Sequence, residues 1–143
     1  MNEQYLNIYN NLIKLTRNKY LYLNLDNKET FSDRIIFLLL HLSFFFKIYK
    51  LNNSKDKIQE IYDFIFNQIE LSIREIGHGD VSINKNMKKY VNFFYDIVLN
   101  IDNWDNIRDE EKVIILTKFI NKPQKISFFT NYFRSLEHAQ VRI

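Results

Sequence analysis

The chain contains no cysteine, one proline, two glycines and a single alanine, Ala139. Without cysteine there is no disulfide framework, no thiolate metal site and no thiol nucleophile. So few turn-formers argue against a sandwich or barrel, which needs a turn about every 8–12 residues. No hydrophobic run is long enough to span a bilayer. The most apolar stretch, Ile35 to Phe46, lies between Arg34 and Lys47 and holds His41 and Ser43. A spanning helix needs about 20 residues, so this stretch reads as a buried core helix. The N-terminal segment lacks a basic region followed by an apolar run, and Glu3 with several asparagines suits neither a signal nor a transit peptide. Nor is there a strong excess of one charge. Twenty Lys and Arg face 17 Asp and Glu, a net charge of +3. That permits contact with RNA or an anionic membrane face without requiring it.

What the chain does have is apolar material, 46% of its residues, enough to exclude disorder. At 143 residues it fits one domain over 1–143 with a sizeable core. Ile, Asn, Lys, Tyr and Phe, the residues of A/T-rich codons, are abundant, which lowers the functional weight of any single Lys or Asn. Apolar spacing predicts an all-α, single-domain bundle of about six helices. The first carries Tyr5, Ile8 or Tyr9, Leu12 and Ile13. Tyr20 to Leu25 alternates loosely, as an extended segment does, and ends at Asp26-Asn27-Lys28. Thr30-Phe31-Ser32-Asp33 reads as a capping box opening a second helix that runs to about Lys50. Ser54 caps a third, with the stripe Ile58, Ile61, Tyr62, Ile65, Phe66, Ile69, Ile73 and Ile76, ended by Gly77. Ser82 is the expected N-cap of a fourth, with Met87, Val91, Phe94, Val98 and Ile101 on its core face. Asp109 is the expected cap of a fifth, ended near Pro123, and Ile126, Phe129, Phe133 and Leu136 mark a sixth.

Familiar catalytic patterns are missing. His41, His78 and His138 are far apart in sequence and form no His-x-x-x-His pair, so no metal ligands and no cofactor are expected. There is no Gly-rich phosphate loop and no Gly-x-Ser-x-Gly elbow. Asp109, Glu110 and Glu111 read as a first-turn cluster complementing a helix dipole, and His41 as a core histidine with its hydrogen bonds met or a polar lining residue, not a ligand. No catalytic residue is assigned, and the chain is expected not to be an enzyme.

One segment stands out: Arg74-Glu75-Ile76-Gly77-His78-Gly79-Asp80, followed by Lys85, Lys88 and Lys89. Both glycines of the protein fall here, which predicts two backbone conformations that other residues resist. Asp80 is placed to meet the N-terminus of the next helix or to pair with Arg74. The three lysines recur at helical spacing and so form one basic face.

From Leu71 through Lys89, then Phe94-Tyr95, the chain resembles the ubiquinol–cytochrome c chaperone family, whose signature joins two helices by an Arg-Glu-x-Gly-x-Gly-Asp turn. The resemblance is strongest from Phe64 to Tyr95 and collinear from Asn7 to His138. Two departures are visible: Asn84 stands where proline is usual, and Asp96-Ile97 follows Tyr95 where the family has Gly-Arg. The resemblance implies an assembly factor for respiratory complex III that binds newly synthesised cytochrome b, in some members with a small partner protein near the ribosome exit. The lack of a transit segment points to a bacterial member, in the cytoplasm or peripheral at the inner-membrane face, with no DNA partner. The resemblance further implies roles for the turn residues Arg74, Glu75, Gly77, Gly79 and Asp80 and for Tyr95. Lys85, Lys88 and Lys89 are expected to meet acidic client loops, RNA or lipid head groups. Phe44 and Phe45, with Phe46, are expected to shield client helices if they lie outside the core. The rival reading is a helical nucleic-acid- or ribosome-binding module without a cytochrome client, which would show a continuous basic stripe.

Overall fold

The computed structural model describes residues 2–22, 30–77, 79–120, 122 and 125–138. Six α-helices follow in order: α1 (Asn2–Thr16), α2 (Phe31–Tyr49), α3 (Lys55–Glu75), α4 (Asp80–Ile101), α5 (Asp109–Phe119) and α6 (Ile126–His138). Two 3-10 turns, Lys19–Leu21 and Trp104–Asn106, sit in the connections. No strand occurs among the described residues. The extended segment expected from Tyr20 is instead a helical turn at Tyr20 and Leu21, because the Asn18 side chain accepts from the Tyr20 N–H at 3.1 Å. Leu23 to Lys28 lie outside the described residues, as do His78 and Pro123.

α2 is the central element. Every residue from Phe37 to Phe46 is buried, so this helix is covered all round. It packs against α1, α3 and α4, while α5 pairs with α6. α6 closes the remaining side of α2 through rings: Phe37 meets Phe129 at 5.3 Å, and Phe44 stacks on Phe133 at 5.2 Å. The start of α2 is fixed by its capping box. Thr30 Oγ1 accepts from the Asp33 N–H at 3.0 Å, and the Thr30 N–H donates back to Asp33 Oδ2 at 3.2 Å. Ser54 caps α3 with its hydroxyl alone, taking the Lys57 N–H at 3.2 Å.

His41 is the core histidine the sequence suggests. Its Nδ1 lies 2.7 Å from the Phe37 carbonyl, which can only accept, so Nδ1 carries the proton. Nε2 therefore accepts from the Tyr132 hydroxyl at 2.7 Å. Burial lowers the imidazole pKa to about 4, with the Phe37 hydrogen bond working in the opposite direction.

Three sequence expectations shift. Gly79, not Ser82, is the N-cap of α4, and the Ile83 N–H reaches the Gly79 carbonyl at 2.9 Å. The helix starts with Asp80 in its first turn, where a carboxylate meets the helix dipole. Arg108, not Asp109, is the N-cap of α5, and the three acidic residues fill the first turn. Finally, the fully buried residues of α4 are Ile83, Tyr90, Phe94, Ile97 and Ile101, with Met87, Val91 and Val98 at the edge of that face.

Candidate functional site

The α3–α4 turn is built by one glycine. Gly77 holds φ +94°, the left-handed conformation that ends a helix, and its N–H closes on the Arg74 carbonyl at 3.0 Å. Gly79 does not meet the same expectation: its φ of −79° and ψ of 168° are extended angles open to any residue. Nothing lies within 4 Å of a Cβ built on either glycine, so neither is required by close approach. Arg74 pairs with Asp80 across the turn at 3.2 Å and with Glu70 one turn back at 3.7 Å. The side chains are 49% and 86% exposed for Arg74 and Asp80, and exposed pairs contribute only about 0–1 kcal/mol. The link steadies the turn without defining it. Glu75 and Ile76 are exposed beside it, and Ile76 drops out of the core stripe because the helix ends there.

Lys85, Lys88 and Lys89 lie on the first turns of α4, away from its buried face. Among the described residues no ion pair to a carboxylate is made by these three, and Lys89 lies 5.8 Å from the Tyr90 ring.

Phe44 and Phe45 belong to the core, which corrects their assignment as a client surface. Phe44 is fully buried, edge-on to Trp104 at 5.2 Å. Phe45 stacks on Tyr49 at 4.8 Å. A ring at either place is required by the packing around α2, so neither is available to a partner. Phe46 differs: it is buried, yet lines a surface groove.

That groove, of about 770 Å³, opens where the end of α2, the start of α3 and the last turns of α4 meet. Phe46, Ile58, Tyr62, Phe94, Val98 and Ile101 form its apolar floor. Leu51, 76% exposed, projects at its lip. Lys50 and Asp102 pair across the rim at 2.5 Å, Lys47 pairs with Asp105, and Lys55 stands at the α3 end. Tyr95 lies on the wall, 58% exposed, its ring 6.4 Å from Tyr62 and nearly parallel to it. Burial, with Tyr95 beside it, pushes the Tyr62 phenol up to about 12. Both the size and the mix of an apolar floor with a few polar groups are those of a binding site.

Of the candidate residues read from the sequence, the fold brings Tyr95 and Phe46 to this groove. The turn and the lysines lie toward the other end of α4. Tyr62, Leu51, Lys50 and Lys55 belong to no motif that would single them out. Leu51 carries the one available signal, a large apolar side chain in a turn beside Asn52-Asn53. Asp96-Ile97 extends α4 without interruption. Ile97 is fully buried, and Asp96 pairs with Lys118 of α5 at 3.2 Å. A second, smaller cavity of about 240 Å³ lies beside the turn, between Arg17 of the α1 end, Phe31 and Arg34 of α2, and Glu75. Among the described residues no cluster of His, Asp or Glu could hold a metal ion, and no helix is long and apolar enough to cross a membrane.

Comparison with curated proteins and with solved structures finds no match in either set. A family model, Ubiquinol-cytochrome C chaperone, matches residues 23–111. The match takes in α2, α3, the turn, α4 and the start of α5, and so both the groove and the basic face. It covers more than half of the chain, which therefore belongs to the ubiquinol-cytochrome C chaperone family.

Proposed function

We propose that this chain is an assembly chaperone for ubiquinol–cytochrome c reductase that holds newly synthesised cytochrome b through the groove between α2, α3 and α4. The family match over 23–111 carries the reading, because every wall of the groove falls inside it. The mode is binding without chemistry. An amphipathic or apolar helix of the client lays side chains on the Phe46, Tyr62, Phe94 and Val98 floor, as helices do in hydrophobic grooves. The Tyr62 and Tyr95 phenols offer hydrogen bonds to a polar client group that would otherwise be buried alone. Release needs no hydrolysis, only a client fold that buries the same apolar face better.

A deletion strain tests this. Mature cytochrome b, read by its haem absorbance, should fall while other respiratory complexes stay near normal. Wild-type chain should restore it, and Leu51→Glu with Tyr95→Glu should not, although both positions are exposed and the double variant should fold. Normal cytochrome b in the deletion strain would overturn the reading.

A further inference from the structure

The end of the bundle opposite the groove has a composition of its own. The end of α1, the start of α2 and the end of α3 meet there around the smaller cavity, and α4 begins there after the turn. The segment before α6 reaches the same end, since Lys122 lies 3.8 Å from Asp33 and Lys125 donates to the Tyr20 carbonyl at 2.6 Å. Arg17, Lys19, Arg34 and Arg74 stand with these two lysines, and Lys85, Lys88 and Lys89 follow the turn. Among the described residues four carboxylates stand against these nine cations: Asp33, Glu70, Glu75 and Asp80. Among the described residues this is an excess of five positive charges at one end, against +3 for the whole chain.

Large apolar side chains protrude from the same end. Val81 is 85% exposed, and Ile76 and Tyr20 are more than half exposed. Ile76 and Val81 flank the tip of the turn, one on each side of it. Neither belongs to the core, since the α3 stripe stops at Ile73 and that of α4 begins at Ile83, although Ile76 also lines the smaller cavity. An apolar tip with cations one and two turns behind it suits an anionic membrane interface: apolar groups enter the headgroup layer while lysines stay with the phosphates. A nucleic acid would favour the cations but gain little from exposed Ile and Val.

We propose that this end docks on an anionic lipid surface, with Ile76 and Val81 entering the headgroup layer and Lys85, Lys88 and Lys89 meeting the lipid phosphates. The proposal does not depend on the identity of the client, because the groove residues take no part in it.

Vesicle partitioning of the full chain tests it. Vesicles of about three parts phosphatidylcholine to one part phosphatidylglycerol should bind the chain, and pure phosphatidylcholine should bind it poorly. The Lys85→Glu, Lys88→Glu, Lys89→Glu variant should lose about a hundredfold in partitioning, because three cations attracted to the surface become three anions repelled by it. The Ile76→Ser, Val81→Ser variant should lose about tenfold, and should melt with the wild type because the replaced side chains are exposed. A tryptophan placed at Val81 should shift its emission to the blue on anionic vesicles, while Trp104 is buried and provides a constant background. Failure to bind anionic vesicles, equal binding to neutral ones, or an unchanged affinity in the Ile76, Val81 variant would overturn it. So would tighter binding to a single-stranded RNA that the Ser variant retains in full, which would assign the cations to nucleic acid.

Discussion

His41 shows what a single buried side chain costs and what it secures. Its Nε2 bond to the Tyr132 hydroxyl ties α2 to α6, its Nδ1 bond to the Phe37 carbonyl stays within α2, and burial of the ring favours the neutral form. The folded value of about 4 lies below the ordinary 6.5, so the unfolded chain binds the proton first as pH falls. Stability from this site is intact above about 6.5, declines as pH drops, and is about 3 kcal/mol lower near 4. His41→Gln should flatten the difference between melting temperatures at about pH 7 and pH 4.5 relative to wild type, and equal slopes in the two proteins would refute the assignment. The glycines give a second contrast at the same scale. Gly77→Ala should destabilise by about 1 kcal/mol because φ +94° is strained for any side chain. Gly79→Ser should instead be neutral or stabilising by a few tenths of a kcal/mol, since a serine oxygen could take a first-turn N–H that no side chain now caps. Chemical denaturation of the two variants separates them. The glycine pair in the sequence marks the turn, but only the backbone angles tell which glycine is needed: either the left-handed position or the N-cap is enough to explain finding one.

Among the elements, α3 and α4 show their buried faces in the sequence, while α2 reads as a buried core helix without showing which neighbour covers each side. An amphipathic helix declares its buried face by spacing, so Ile61, Ile65, Ile69 and Ile73 can be placed from sequence. α2 is apolar on every side, so its pattern carries no direction, and only the cover provided by α6 separates Phe44 from a surface residue. The groove is illegible for a related reason. It is made by the ends of three helices, and no local spacing reports which ends converge. On α4, the lysine face contributes little to the fold, because Lys85, Lys88 and Lys89 lie off its buried face and make no ion pair among the described residues. Reversing all three to Glu should leave thermal stability within about 1 kcal/mol. Asp80→Ala should cost no more than about 1 kcal/mol, since its pair with Arg74 is exposed. An early melt of the triple reversal would show that the lysines hold the fold and would remove them from any binding surface.

For the molecule as a whole, the two surfaces stand at opposite ends of one helix. About 21 Å of α4 separates Val81 from Tyr95 at about 1.5 Å per residue. If the turn end rests on lipid, the groove is held well above the headgroups, where it meets a client segment before that segment enters the bilayer. Such an arrangement asks for contact with the surface, not passage through it, and is within reach of helices none of which, among the described residues, is long and apolar enough to cross. Sites so far apart with no shared partner should act additively. Ile76→Ser with Val81→Ser should release the chain from anionic vesicles and leave capture of a synthetic apolar client helix in solution unchanged. Leu51→Glu with Tyr95→Glu should abolish that capture and leave vesicle partitioning unchanged. Combining all four substitutions should give each loss at its single-site size. If the turn variant also loses the client helix in solution, the two ends are one continuous binding surface and the division of labour between them is wrong.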